Sequence, residues 1–463
     1  MTSPTVVWLR EDLRVADNPA LVEAAKRGGP LVVVYVQEDA GDGIRVLGGA
    51  AKWWLHGSLS SLAESLDGHL VLRRGAAADV IPALVEEVGA GAVYWNRRYG
   101  AARDIDAALK TRFTEGGIEC RSFQANLLFE PWTVQTQSGT PFQVFTPFWN
   151  ACLDKPVRDP LPAPSATEFS DAASDDLDDW NLLPSHPDWA GGLREYCEPG
   201  EDAAHERLEL FVEDALERYD RRDEPGVEAT SGLSPYLRFG EISPFQIWQR
   251  VHQPLSPAAT RNRAKFLSEV GWREFNRNIL FYVPALATEN VKSDFDAFAW
   301  QEPATSELAA WQQGRTGIPL VDAGMRELWQ TGTMHNRVRM VCASLLIKNL
   351  LVDWRIGEQW FWDCLVDADE GSNPGNWQWV AGSGADAAPY FRVFNPVLQQ
   401  EKFDPRLEYV KRWVPEYGTD DYPEPIVDLA QSRQAALDAY EAMKGAAMKG
   451  AAMKADALKA EAG

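Results

Sequence analysis

Residues 1–130 alternate short β-branched runs with helix-length stretches, and this alternation constrains the fold more than any other feature of the chain. Val6-Val7-Trp8-Leu9 and the segments 31–36, 70–73 and 92–95 read as strands, while 18–27, 51–66, 78–88 and 101–115 read as helices. A strand, a helix and another strand in succession imply a crossover connection, so the pattern predicts βαβ units and a parallel sheet. No G-x-G-x-x-G follows the first strand, and no G-x-x-x-x-G-K-[ST] occurs. The usual phosphate-cradling loops are therefore missing, which removes support for a plain dinucleotide dehydrogenase or a P-loop enzyme.

Beyond this region the pattern changes twice. Residues 131–200 are rich in Pro, Asp, Ser and Ala, and 154–179 is largely polar, which predicts a long surface linker with little secondary structure. From 201 to 430 the periodicity is helical, over 203–220, 244–251, 257–282, 307–311, 321–331, 336–353 and 357–364. The tail, 431–463, is rich in Ala, Lys and Met and repeats Met-Lys-Gly-Ala-Ala at 443–447 and 448–452. Helix or disorder is expected there, and no chemistry. The fold expected is α/β followed by all-α: a Rossmann-like parallel α/β domain at 1–130, a linker at 131–200 and a helical domain at 201–430.

With 463 residues, 45% of them hydrophobic, the chain is long enough for two or three domains with substantial cores. Its five cysteines are scattered and never form C-x-x-C, and its six histidines form no H-x-x-x-H or H-E-x-x-H. A disulfide framework and a structural zinc site are not expected. No apolar run approaches the ~20 residues that span a bilayer. Met1-Thr2-Ser3-Pro4 runs straight into apolar sequence without a basic segment or a small-residue cleavage site, so a cytoplasmic protein is expected, and a monomer. The net charge of −23 argues against nucleic acid as a partner if taken globally. Affinity for DNA depends on local phosphate neutralisation, however, so a basic face on an acidic body stays open. Nineteen tryptophans, most of them beyond residue 240, could be core fillers, stacking platforms or redox-active rings.

Three constellations could carry chemistry. In Met334-His335-Asn336-Arg337-Val338-Arg339-Met340, helical spacing puts Asn336, Arg339, Met340 and Ala343 on one face while Arg337 points away. An Arg buried on that face demands a carboxylate, which Asp367-Ala368-Asp369-Glu370 could supply, either as a structural pair or as part of a site. In Glu269-Val270-Gly271-Trp272-Arg273-Glu274-Phe275, helical spacing groups Glu269, Trp272, Arg273 and Asn276. A carboxylate beside an aromatic plate suits a pocket that stacks a flat ligand, and equally an ordinary amphipathic helix. The third runs from Asp367 through Asn373-Pro374-Gly375-Asn376-Trp377-Gln378-Trp379 to Ala387-Ala388-Pro389-Tyr390-Phe391-Arg392-Val393-Phe394-Asn395-Pro396. Such a density of Gly, Asn, Asp and Trp is poor helix material and predicts a loop shaped around a ligand.

Together these motifs resemble those of class I photolyases and cryptochromes. The opening Trp8-Leu9-Arg10-Glu11-Asp12-Leu13-Arg14, followed by Asp17-Asn18, is similar to that family's opening, and the likeness runs from Val6 to about Leu429. The resemblance implies an N-terminal antenna domain and a C-terminal helical domain that binds FAD. It implies that Tyr219 and the run Thr230-Ser231-Gly232-Leu233-Ser234 hold the FAD phosphates and sugar. Asn336, Arg339, Asp367 and Asp369 would surround the flavin ring and ribityl chain, with Arg339 and Asp367 as an ion pair. Asn373 would face flavin N5, where an amide suits a flavin kept reduced and anionic.

On the substrate side, the resemblance implies DNA containing cyclobutane pyrimidine dimers. Glu269, Trp272 and Trp379 would receive the flipped dimer. Arg222 and Arg337, with Arg273 and Lys402 behind them, would contact phosphates. Trp377, Trp354 and Trp300 would carry electrons between flavin and surface. The activity implied is that of a deoxyribodipyrimidine photo-lyase, a light-dependent carbon–carbon lyase. For the antenna, Asn96-Arg97-Arg98-Tyr99-Gly100 has Gly where folate-binding members have an acidic residue. This departure counts against methenyltetrahydrofolate and leaves 8-hydroxy-5-deazaflavin, another antenna or none open. Two other members of the family are alternatives: a (6-4) photolyase, disfavoured by His335-Asn336 where His-His is usual, and a signalling cryptochrome, disfavoured by Glu269, Trp272 and Asn373. A nucleotide-binding electron carrier would leave the dimer-pocket residues unexplained.

Overall fold

The computed structural model describes residues 2–461 except 39, 42, 166 and 388–390, with side chains through 445. Ala388, Pro389 and Tyr390 of the third motif thus lie outside the described residues. The chain forms two compact units. One comprises Met1–Arg222, Ala229–Pro284 and Asp363–Asp369; the other comprises Asp223–Glu228, Ala285–Trp362 and Glu370–Gly463. The first unit joins the sheet to helices as far as residue 284, a grouping that the sequence boundaries at 130 and 201 do not draw.

In the first unit, β1 (Thr5–Leu9), β2 (Leu31–Gln37), β3 (Leu70–Arg74), β4 (Ala92–Asn96) and β5 (Glu119–Phe123) form one parallel sheet in the order β3-β2-β1-β4-β5. The crossover helices are α1 (Pro19–Arg27), α2 (Gly49–Ser65), α3 (Ala77–Glu87) and α4 (Arg103–Glu115). Every residue of β1 and β4 is buried, which is why these strands read as continuous apolar runs and not as alternating ones. Asn18 caps α1 by accepting from the Leu21 amide, and Pro19 pre-sets its first turn. The strand β5 escapes sequence reading because it is a polar edge strand, Glu-Cys-Arg-Ser-Phe, with no buried residue. The strand order reverses beside β1 and β4, the place where open α/β sheets bind ligands. Here Arg98 bridges Glu38 (2.5 Å) and Asp106 (2.9 Å), and Arg10 joins Asp106 (3.3 Å) over the Trp8 ring.

Segment 131–200 is more structured than its composition predicts. It contains α5 (Phe145–Leu153) and α6 (Gly191–Tyr196). Phe148 packs on Phe275 (5.2 Å between ring centroids), so burial of aromatic rings overrides the segment's polar composition. Then come α7 (Glu201–Glu213), a 3₁₀ turn (Ala215–Arg221), α8 (Ser234–Phe239), α9 (Pro244–His252) and α10 (Pro257–Tyr282). Ser243 and Gln246 form a capping box on α9, and Ser256 with Pro257 starts α10. Just before α9, the buried Glu241 carboxylate accepts from Ser58 Oγ (2.6 Å), Gly200 N (2.7 Å) and Trp54 Nε1 (3.0 Å). Burial raises its pKa to about 7 despite these donors.

The second unit holds α11 (Thr305–Gln312), α12 (Pro319–Thr331), α13 (Asn336–Ser344), α14 (Trp354–Cys364, of which all but the last two residues belong here), α15 (Ser372–Ala381), α16 (Pro396–Phe403), α17 (Glu408–Trp413) and α18 (Leu429–Glu461). Helix α15 corrects the loop expected across Asn373–Trp379. Pro374 falls in the first turn, where its missing N–H is no loss. The buried Gln378 side chain then binds the Leu286 and Glu289 carbonyls (2.7 and 2.8 Å) and the Val291 amide (2.9 Å). Tertiary hydrogen bonds thus overcome poor helix propensity. The first turns of α18 pack Ala436 and Met443 against Phe295, Phe298, Leu351 and Phe391.

Candidate functional site

In the first unit, the run Thr230–Ser234 leads into α8 with its hydroxyl residues exposed or half-buried and Leu233 buried as an anchor. Arg207, on α7, donates to the Ser231 carbonyl at 2.7 Å and lies so close over Gly232 that a Cβ there would sit 2.8 Å from its Nε. The Thr230 and Ser231 hydroxyls, on a loop kept open by glycine beside the Arg207 guanidinium, form a donor set chemically fit for phosphate. Sequence reasoning missed Arg207, whose role depends on the packing of α7. Ser234 Oγ donates to Asp367 Oδ2 at 2.6 Å, and both Asp367 and Asp369 are buried. Tyr219 is buried between Phe211 and Phe266, its ring covered by aromatic edges.

Helix α10 carries the next group. Glu269 Oε1 is 2.6 Å from Arg222 Nη1 and 4.0 Å from Lys265 Nζ. Trp272 is half-buried, and Phe145 is stacked on it at 3.9 Å and 8°. Glu269, Trp272 and Arg222 thus gather a carboxylate, an aromatic plate and a guanidinium at one place. Arg273 does not join them. It turns inward to the Asn126 and Leu237 carbonyls (2.7 and 3.3 Å) and to Glu274 (3.4 Å), with only 13% of its side chain exposed. This corrects its placement among the phosphate contacts: its donors are spent inside the fold. The first half of α10 instead presents Arg261, Arg263 and Lys265 at exposed or half-buried positions, a local basic stretch on an acidic chain.

In the second unit, Asn336 is exposed at the start of α13, and Arg339 is half-buried with Nε donating to the Met334 carbonyl at 2.7 Å. Arg339 is therefore less buried than its place on the helix face predicts. Arg337 pairs with Asp223 (3.0 Å) and lies over the Phe403 ring, beside the exposed Lys402. On α15, the Asn373 amide donates to Glu358 Oε1 (2.8 Å) and to the Glu358 carbonyl (3.0 Å). Both donor interactions of the amide go to Glu358, a buried residue the sequence reading did not single out, so its Oδ1 is oriented as an acceptor.

The tryptophans follow the same helices. Trp377 is buried edge-on to Phe361 (4.9 Å) on α14, the helix that Trp354 begins. Trp354 is fully buried, with its Nε1 on Asn290 Oδ1 at 3.0 Å. Trp300 is half-buried against Phe298 (4.3 Å), and its neighbour Gln301 donates to Leu351, three residues before Trp354. A further buried ring, Trp311, lies 6.3 Å from Trp377. Trp379 is half-buried, its Nε1 on the Asp386 carbonyl at 3.1 Å.

Hydroxyls beside a guanidinium, two buried aspartates, an oriented carboxamide and buried indoles are groups chemically fit to hold a nucleotide-bearing aromatic cofactor. Comparison with known proteins narrows this reading. A family model described as DNA photolyase matches residues 5–165, and one described as the FAD binding domain of DNA photolyase matches 266–420. A deoxyribodipyrimidine photo-lyase of Agrobacterium fabrum is 46% identical over 476 residues, covering 96% of this chain and 98% of that one. Among solved structures, a bacterial class III photolyase from Agrobacterium tumefaciens superposes with a TM-score of 0.90 at 45% identity, covering 96% of this chain and 98% of that one. A Synechocystis cryptochrome superposes with a TM-score of 0.82 at 30% identity, covering 95% and 99%.

The chain belongs to the photolyase/cryptochrome family, as a lyase of its DNA photolyase branch, and FAD is its cofactor. The motif likeness named class I members, whereas the Agrobacterium neighbour is described as class III. No helix among the described residues is long and apolar enough to cross a membrane.

Proposed function

We propose that this protein is a deoxyribodipyrimidine photo-lyase that restores cyclobutane pyrimidine dimers in DNA under blue or near-UV light. The observation that carries the reading is the grouping of Glu269, Trp272 and Arg222 on and beside α10. A flipped dimer needs an apolar plate, an acceptor for its base edge and a cation for the adjoining phosphate, and these three residues provide one of each. Reduced FAD, when bound, supplies the excited electron that opens the cyclobutane ring and accepts it back.

The chain's own residues bind, orient and insulate. Thr230, Ser231, Gly232, Leu233 and Ser234, with Arg207 and Tyr219, are assigned to the phosphates and sugar. Asn336, Arg339, Asp367 and Asp369 are assigned to the flavin and ribityl chain. Asn373 presents an acceptor oxygen, which suits the N–H that a reduced flavin carries at N5. A neutral amide is also a poorer proton donor than an acid. Trp272 and Trp379 cover the apolar flank of the dimer, while Glu269 holds its edge. Arg222 and Arg337, with Lys402, meet phosphates. Trp377, Trp354 and Trp300 conduct electrons to an oxidised flavin. The reading carries with it a cytoplasmic monomer.

The test is illumination of reduced protein with DNA carrying either cyclobutane dimers or (6-4) products, with repair followed by chromatography. Loss of cyclobutane dimers alone is expected. Dimers left unchanged by light would refute the proposal and favour a photoreceptor.

A further inference from the structure

In the first unit, the strip Asp367–Asp369 is held at three successive residues. Ser234 takes the Asp367 carboxylate (2.6 Å), Arg238 Nε donates to the Ala368 carbonyl (2.8 Å), and Arg277 Nε lies 3.4 Å from Asp369 Oδ1. The two arginines are themselves joined by one side chain. Glu11 places Oε1 2.8 Å from Arg238 Nη1 and Oε2 3.2 Å from Arg277 Nη1. Both guanidiniums are buried, with side chains 7% and 3% exposed. Glu11 follows β1, and its loop is pinned independently. Leu13 N donates to the Phe239 carbonyl (3.1 Å) and Arg14 Nη1 to the Gly240 carbonyl (2.7 Å). Gly240, at φ +69°, approaches so closely that a Cβ would sit 1.9 Å from the Glu11 carbonyl oxygen. The carboxylate is thus delivered from a fixed backbone.

We propose that Glu11 is a positioning residue for the flavin: by bridging Arg238 and Arg277 it sets where the 367–369 strip presents its aspartates. The inference rests on the assignment of Asp367 and Asp369 to FAD. Two buried guanidiniums side by side repel, and each can satisfy itself by drawing on the strip's own carbonyl and carboxylate. With Glu11 between them, each arginine has one hydrogen bond to a fixed anchor and a second contact with the strip, a hydrogen bond to the Ala368 carbonyl for Arg238 and an ion-pair contact with Asp369 for Arg277. The clamp is then set by the loop after β1. Burial opposes the charge on Glu11, yet Arg277 and then Arg238 hold its carboxyl below the ordinary range, so it is ionised at neutral pH.

The test is FAD affinity of the full-length apoprotein by fluorescence quenching, alongside apoprotein melting and the fine structure of the bound-flavin absorption band. Glu11→Gln leaves two buried guanidiniums without their carboxylate and is expected to lower apoprotein melting; at a temperature where the variant is fully folded, the FAD Kd is expected to rise at least about tenfold with blurred fine structure, and Glu11→Asp to recover much of the affinity. Arg238→Lys keeps a charge for Glu11 but loses the bond to Ala368. It is expected to raise the Kd too, and it decides the matter if Glu11→Gln fails to accumulate. An FAD Kd within about twofold of wild type in Glu11→Gln or in Arg238→Lys overturns the proposal, as does a loss in melting that accounts for the whole change. Asp367→Asn and Asp369→Asn are measured beside them. Weak binding in these with normal binding in Glu11→Gln rejects the role of Glu11 alone. Normal binding in all of them rejects the flavin assignment of the strip as well.

Discussion

Replacing Glu269 by Gln should separate recognition of the lesion from attraction to DNA. In the free protein this carboxylate is 2.6 Å from Arg222 and flanked by Lys265. The pair is partly exposed, so its own contribution to stability is small, about 0–1 kcal/mol, and the fold should survive. At the lesion, losing a hydrogen bond made by a charged group costs about 1.5–3 kcal/mol, a rise of roughly 10- to 150-fold in Kd for dimer-containing DNA. Intact DNA should respond in the other direction. Without Glu269, Arg222 loses one carboxylate that competes with phosphate for its guanidinium. One additional phosphate contact would steepen the dependence of log K on log salt by about 0.9. The assay is anisotropy titration of FAD-loaded wild type and variant with damaged and intact duplexes across a salt series. If both affinities fall in parallel with an unchanged salt slope, Glu269 only holds Arg222 in place, and its assignment to the lesion is wrong.

Arg337→Ala should weaken damaged and intact DNA alike and flatten the salt slope, as measured in the same titrations. Asp367→Ala and Arg339→Ala should each yield protein depleted of FAD, read from the flavin absorbance per chain; full FAD content in both would remove them from the cofactor site. Trp377→Phe should sharply slow light-driven reduction of oxidised FAD while chemically reduced protein still repairs, and equal loss of both would place this ring in the pocket instead. Glu241, raised to about 7 when folded, binds a proton more tightly folded than unfolded. Its contribution to stability is full below about pH 4.5 and is lost as pH rises through about 7, on the order of 3 kcal/mol in all. Glu241→Gln should therefore flatten the pH dependence of chemical denaturation over that window, and an unchanged slope would contradict the assignment.

How far the sequence could be read follows from where each interaction lies. The parallel sheet was legible because buried β-branched runs and capped helices are local signals, as Val6–Leu9 and Asn18-Pro19 illustrate. The polar edge strand β5 carries no such signal. The helix α15 was hidden because Gln378, and not propensity, holds it. The motif residues were legible as a set. Their partners were not: Glu358 beneath Asn373, Arg207 over Gly232 and Glu11 between two arginines all depend on contacts across the fold. Arg273 exposes the same limit from the other side, since helical spacing gives a direction around the axis but not whether an arginine ends in water or on a carbonyl.

The strip 363–369 also has a bearing on biosynthesis. The first unit is continuous to residue 284 apart from a short excursion, but it is completed only by residues that emerge some eighty positions later. At typical rates of chain elongation that interval lasts on the order of ten seconds. During it the nascent chain carries Arg238, Ser234 and the finished sheet, without the strip they bind. On the proposed assignment of Asp367 and Asp369 to FAD, capture of the cofactor waits until Ala285–Trp362 and the strip have emerged from the ribosome. Truncations ending before residue 369 should consequently accumulate as a sheet-containing but flavin-free species.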